Sequence, residues 1–64
     1  MYYKFIGYKY GMRQNVLCLG CFPLMGFLYR ADDVTGKYYG ILVYCRPLND
    51  HEQDYYELDY LGEV

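Results

Sequence analysis

The sequence predicts an all-β domain, a single small sheet or an SH3-like barrel of roughly four or five short strands. Tyrosine supplies 11 of the 64 residues, and aromatic side chains are enriched in strands. Short apolar runs alternate with glycine, proline and aspartate, the usual residues of turns. A β-rich fold with one short C-terminal helix is the alternative. At this length, residues 1–64 are expected to form one small domain.

The N-terminal half predicts two extended segments. Residues 2–10 are rich in tyrosine and are followed by Gly11, which indicates a first strand that ends there. Residues 16–22 form a second apolar segment, which Gly20 interrupts and Pro23 stops. Because proline has no N–H to donate to a strand ladder, a bulge, an edge or a corner is expected at this point.

The middle of the chain predicts a β-hairpin. Residues 24–31 and 37–46 flank the sequence Asp-Asp-Val-Thr-Gly, which suits a turn of about five residues with Gly36 at positive φ. Residues 39–45 are apolar on both alternating faces. A strand without a polar face has to be covered on both faces, so we expect it in the centre of the sheet or with one face in an interface.

Residues 50–61 carry two competing signals. Apolar and acidic residues alternate from Tyr56 to Tyr60, the pattern of a half-buried strand. Asn49 and Glu52, three residues apart, have the spacing of a helical capping box. The many tyrosines and the like charges that a helix would stack one turn apart disfavour the helix, so we favour the strand.

The ends of the chain carry a short resemblance. The opening residues 4–7, Lys-Phe-Ile-Gly, and the closing residues 60–64, Tyr-Leu-Gly-Glu-Val, resemble the ends of small SH3-type barrels. The resemblance implies a barrel of that kind. It covers too few residues to assign a role to any of them.

The chain is short for its apolar content. It is 55% hydrophobic, whereas a core of this size supplies roughly 3–5 kcal/mol or less without a staple. We therefore expect self-association or a bound target to cover apolar surface, and a homo-oligomer is predicted. The apolar run at 16–28 is too short to cross a bilayer, so no membrane association and no targeting segment are expected.

Charge is divided along the sequence. All six lysines and arginines lie in residues 1–46, together with only two acids, Asp32 and Asp33. After Arg46 there are six acids and no lysine or arginine. This division predicts either an acidic end that folds back on a basic body or an acidic surface presented to a basic partner.

The cysteines suggest thiols more strongly than a metal site. Three cysteines do not form a self-contained disulfide framework, so reduced thiols in the cytoplasm are expected. Cys18, Cys21, Cys45 and His51 have the ligand types of a structural zinc site, which is the alternative. A single Cys-x-x-Cys is a weak signal, and its apolar neighbours indicate buried thiols. We expect no cofactor.

Catalysis and nucleic-acid binding are not favoured. The chain has no serine, no glycine-rich phosphate loop, and His51 as its one histidine, so no enzyme is predicted. Aromatic residues interleaved with cations are typical of single-stranded nucleic-acid binders. The acidic C-terminal segment would repel a phosphate backbone, which makes nucleic acid an unlikely partner.

These observations together predict a non-enzymatic protein-binding module, an inhibitor or adaptor of a larger protein complex. The specific hypothesis is a viral protein that blocks a host defence in the host cytoplasm. A zinc-stapled or single-stranded nucleic-acid-binding mini-domain is the alternative. Residues predicted to bind the partner are exposed tyrosines and nearby acids: Tyr2, Tyr3, Tyr38, Tyr39, Tyr55, Glu57 and Asp59. The target, the organism and the oligomeric state stay open.

Overall fold

The computed structural model describes residues 6–15 and 20–64, which form one four-stranded antiparallel sheet and one short helix. In chain order the elements are β1 (Tyr8–Met12), β2 (Phe27–Ala31), β3 (Ile41–Tyr44), α1 (Asp50–Tyr55) and β4 (Leu58–Glu63). The strands are ordered β2-β3-β1-β4 across the sheet. The predicted fold class, β-rich with at most one short helix, is confirmed.

The N-terminal strand is displaced from its predicted position. It runs from Tyr8 to Met12 and therefore includes Gly11, where the sequence suggested an end. The rest of the predicted strand, residues 2–5, and most of the second extended segment, residues 16–19, lie outside the described residues. Residues 20–22 form a turn and bends rather than a strand.

The predicted hairpin is confirmed, with a longer connection. Strands β2 and β3 pair antiparallel, and residues 32–40 join them. Within that loop the Gly36 N–H donates to the Asp33 carbonyl at 3.1 Å, and Gly36 has a φ of 73°. The Asp33 carboxylate also accepts the Thr35 hydroxyl at 2.7 Å and the Tyr38 N–H at 2.8 Å. These hydrogen bonds hold the pKa of Asp33 below its ordinary value.

Strand β3 is central, as its two apolar faces predict. It lies between β2 and β1, and Leu42, Val43 and Tyr44 are each at most 2% exposed. Leu42 and Tyr44 belong to the main core cluster, whereas Val43 points to the opposite face of the sheet. The strand is thus covered on both sides.

The core is built around aromatic rings from the two central strands. Tyr10 of β1 packs edge-on against Tyr44 of β3, with ring centroids 5.8 Å apart. Tyr44 also contacts Phe27, which in turn contacts Phe22 at 4.9 Å. The buried members of the cluster are Tyr10, Met12, Phe22, Leu42, Tyr44, Leu48 and Leu58.

Both signals at the C-terminus are realised, one after the other. The favoured strand is wrong for residues 50–55, which form α1 behind a complete capping box at Asn49 and Glu52. It is right for residues 58–61, which belong to β4 (Leu58–Glu63). Glu57 separates the two elements in the left-handed conformation, with a φ of 54°. Each signal was local, and the left-handed conformation of Glu57 allows the helix to end and the strand to begin.

Two substitutions at Tyr44 test its place in the core. Its hydroxyl donates to the Pro23 carbonyl at 2.6 Å, and burial raises its pKa. Tyr44→Phe keeps the ring and loses this hydrogen bond, at an expected cost of about 1–3 kcal/mol in unfolding free energy because the buried carbonyl loses its partner. Tyr44→Asp buries an unpaired charge and is expected to abolish the fold. Circular dichroism during urea denaturation measures both, and a folded Tyr44→Asp protein would contradict the burial.

Candidate protein-binding surface

Helix α1 is positioned by the carboxylate of Glu52, which accepts hydrogen bonds from both Asn49 and Arg46. Asn49 accepts the Glu52 N–H through its side chain at 2.8 Å, and Glu52 accepts the Asn49 N–H at 3.1 Å. The guanidinium of Arg46 donates to both oxygens of Glu52, at 2.9 and 2.8 Å. Arg46 also donates from Nε to the Met25 carbonyl at 2.8 Å. The helix start is therefore fixed to the loop before β2.

The ion pair between Arg46 and Glu52 is partly shielded from water. Their side chains are 28% and 19% exposed. The hydrogen bonds from Arg46 lower the pKa of Glu52 to about 2, and the same contact raises the pKa of Arg46. Here the acidic end does fold back on the basic body, as one of the two sequence interpretations predicts.

A second attachment ties α1 to the core. The Tyr10 hydroxyl accepts the Leu48 N–H at 2.6 Å, and the Gln53 amide donates to the Leu48 carbonyl at 2.9 Å. Glu52 and Gln53 thus face the body of the protein. The rest of the helix is directed outward, and none of its residues is buried.

The outward side of α1 combines aromatic and acidic side chains. Asp50 and Asp54 lie one helical turn apart, as do His51 and Tyr55. The His51 and Tyr55 rings stack with centroids 6.1 Å apart, and Tyr55 meets Tyr56 edge-on at 4.9 Å. Tyr55 is nevertheless 71% exposed. We call Asp50, His51, Asp54, Tyr55 and Glu57 the acidic–aromatic surface.

Arg13 links the residues that follow α1 to the end of β1 and partly neutralises one acid, Asp59. The Glu57 carbonyl accepts the Arg13 N–H at 3.1 Å. Arg13 in turn approaches Asp59 at 3.5 Å, and Asp59 accepts the Tyr38 hydroxyl at 3.1 Å. Asp59 is therefore occupied by contacts within the chain.

Tyr38 fastens the long β2–β3 loop across the sheet. Its ring lies against Gly11, where a Cβ would come within 2.7–2.8 Å of ring carbons. The side chain of Lys37 lies over the same ring at 5.4 Å from its centroid. The neighbouring Tyr39 N–H donates to Met12, while its side chain is 61% exposed. The glycine in β1 is explained by this close approach.

The structure brings together five of the seven residues predicted to bind a partner. They lie around one end of the sheet and the end of α1: Tyr38, Tyr39, Tyr55, Glu57 and Asp59. Tyr2 and Tyr3 lie outside the described residues. Tyr39 and Tyr55 are exposed, whereas Tyr38 and Asp59 bond to each other and have a structural role.

The sequence interpretation did not include Asp50, His51 and Asp54 in the surface. It favoured a strand there, which would separate these side chains. The spacing of four residues within the two pairs, read with the capping box, was the signal that places them on one helical face.

The residues of the zinc alternative do not form a metal centre within the described part of the chain. Cys21 is disulfide-bonded, which differs from the expectation of three reduced thiols, and Cys45 is an exposed free thiol. Cys18 lies outside the described residues. No group of three histidine, cysteine or acidic side chains in residues 6–15 and 20–64 is placed to hold a metal ion.

The candidate site is a surface rather than a cavity. No pocket opens between the described residues. No helix among them is long and apolar enough to span a membrane. The fold and its outward helix define a small β-rich module that offers an exposed acidic–aromatic surface.

Comparison with protein families identifies the group to which this module belongs. Residues 7–63 match the family described as Defence against restriction A C-terminal. The chain belongs to that family, whose description agrees with the broad class inferred from the sequence, a protein that counters a cellular defence. Neither the curated proteins nor the solved structures gave a significant match.

The contact between Gly11 and Tyr38 is tested by a double-mutant cycle. Gly11→Ala places a methyl group against the ring, so we expect a loss on the order of 1–3 kcal/mol in unfolding free energy. In a Tyr38→Ala background that space is empty, and the same change should cost at least about 0.5 kcal/mol less. Urea denaturation of the four proteins gives the coupling. Strictly additive costs would show that the ring does not cover Gly11.

The pairing of Glu52 predicts an acid-dependent loss of stability. Because its pKa is lowered from 4.5 to about 2, the stabilisation is present above pH 4.5 and lost as pH falls toward 2. Glu52→Gln removes this titration, so wild type and variant should converge in unfolding free energy across that window. The difference at neutral pH should be on the order of 1 kcal/mol or less. The exposed Glu63→Gln is the control, and an equal convergence for it would contradict the assignment.

Proposed function

We propose that the chain is a non-enzymatic protein-binding module that counters restriction by binding a component of the restriction machinery in the host cytoplasm. The observation that carries the proposal is the family match over residues 7–63. The module acts as an inhibitor or adaptor, and its acidic–aromatic surface is the contact. This surface lies outside the packed core.

Tyr55 is suited to anchor such a contact. Tyrosine is enriched among residues that dominate binding energy, and Tyr55 exposes 71% of its surface. Its ring already contacts those of His51 and Tyr56. A side chain supported in this way loses less conformational freedom on binding.

The acids around Tyr55 define the chemistry of the partner. Glu52 and Asp59 are paired with arginines of this chain, whereas Asp50 and Asp54 make no ion pair with other described residues. Their charges are available to an external cation. Proteins that handle DNA carry basic surfaces for its phosphates, so such a surface of a restriction component is the proposed target.

The test measures binding and protection with the same variants. We expect the chain to bind a purified restriction complex and to reduce the restriction of incoming DNA in cells. Tyr55→Ala should weaken binding at least about tenfold because it removes the aromatic anchor. The double variant Asp50→Lys, Asp54→Lys should do the same, with a larger effect at low salt.

Asp32→Lys is the matched control, since Asp32 is an exposed acid in the β2–β3 loop and away from α1. It should bind and protect like wild type. Absence of a complex with a folded wild-type chain would refute the proposed function. Equal weakening by Asp32→Lys and by the helix variants would refute the assigned surface.

A further inference from the structure

We propose that the segment from Asn49 to Glu57 switches between two forms while the rest of the sheet stays folded. One is the helical form described above, and the other is an extended form in which α1 is open and β4 begins at Tyr56. The side-chain pairs that build the acidic–aromatic surface exist only in the helical form. The importance of that surface rests on the proposed function, whereas the switch itself does not.

The first observation is that α1 is held by polar contacts near the protein surface. None of its six residues is buried, and its sequence Asp-His-Glu-Gln-Asp-Tyr contains no aliphatic side chain. Its ion pair, between Glu52 and Arg46, is only partly shielded from water. Asp50 and Asp54 repel each other one turn apart, and the last turn has no basic residue to interact with the helix dipole. Opening α1 therefore exposes little apolar surface and does not require the sheet to unfold.

The second observation is the backbone at the end of α1. Glu57 has a φ of 54°, a left-handed conformation that residues with a Cβ disfavour. Its N–H donates to the Asp54 carbonyl at 3.3 Å, which is a long hydrogen bond. In an extended backbone Glu57 would return to negative φ. The helical form thus carries a conformational cost at its end that the extended form does not.

The third observation is that the pairing of β1 with β4 already continues toward the helix. Met12 lies opposite Leu58, and the N–H of Arg13 donates to the Glu57 carbonyl at 3.1 Å. In an extended chain Tyr56 falls on the same face as Leu58, which is buried in the core. Tyr56 already packs against that core. The extended form therefore keeps its ring on the core side of the sheet.

Opening of α1 would dismantle the acidic–aromatic surface. His51 stacks on Tyr55, and Asp50 lies beside Asp54, because each pair is separated by one helical turn. In an extended backbone residues four apart are roughly 13 Å from each other, so both pairs separate. A partner that contacts the paired side chains binds the helical form alone and shifts the population toward it.

Two opposite substitutions at Glu57 test the switch by hydrogen exchange of the whole chain. The probe is the N–H of Gln53, which donates to the Asn49 carbonyl at 3.0 Å, and the reference is the N–H of Met12, which donates to Gly40 in the sheet. In the wild type Gln53 should be at least about tenfold less protected than Met12. Glu57→Gly, which tolerates positive φ, should slow exchange of Gln53 about threefold. Glu57→Val, which favours a strand, should speed it at least about tenfold.

The extended form itself is tested in the Glu57→Val protein. Backbone chemical shifts of Tyr56 should move toward strand values. The register of β1 and β4 places Gln14 opposite Tyr56, two residues beyond the pair of Met12 and Leu58. A nuclear Overhauser contact between the backbones of Gln14 and Tyr56 is therefore expected. Helical shifts of Tyr56 in this variant would overturn the extended form.

Two further variants separate the switch from general effects of substitution. Glu63→Val changes an exposed acid of the same strand that does not have positive φ, and it should leave exchange of Gln53 unchanged. Glu52→Gln retains an acceptor for the Asn49 N–H but loses the ion pair. It should speed exchange of Gln53 about threefold.

Three results would overturn the proposal. Equal protection of Gln53 and Met12 in the wild type would show that α1 opens only when the sheet unfolds. Complete absence of protection at Gln53 would show that the helical form is not populated. Identical exchange of Gln53 in Glu57→Gly and Glu57→Val would show that the conformation of Glu57 does not control the helix. All are measured without a partner, so the switch and the proposed restriction binding fail separately.

Discussion

Two buried tyrosines on the central strands determine how the remaining segments are arranged. The rings of Tyr10 and Tyr44 fill the core, but each hydroxyl needs a hydrogen-bond partner because an unpaired buried polar group is costly. Both partners are backbone groups of loops, the Pro23 carbonyl and the Leu48 N–H. The tyrosines therefore fix two loops that have little regular structure of their own. Phenylalanine at these positions would fill the same space without specifying where the loops lie.

The placement of α1 follows from this constraint. With Leu48 held by Tyr10, the chain reaches Asn49 in a defined orientation, and the capping box starts the helix there. A helix of six residues is too short to be stable alone, so the ion pair between Glu52 and Arg46 adds stabilisation that helix propensity does not provide. The same attachment selects which acids are neutralised and which remain exposed. Glu52 is paired with Arg46, whereas Asp50 and Asp54 remain exposed on the outward side of α1.

Signals contained within one element were readable from the sequence, and those that depend on distant contacts were not. The two-faced apolar run of β3 and the capping box at Asn49 are local patterns, and both correspond to observed elements. The succession of helix and strand after Asn49 requires the left-handed conformation of Glu57. Glycine is the residue that usually marks such a position in a sequence, and none is present there. Likewise, Gly11 suggested a strand end because the ring of Tyr38, which requires it, lies far away in sequence. Tyr38 was assigned to partner binding because its hydrogen bond to Asp59, which is 21 residues away, could not be inferred from the sequence.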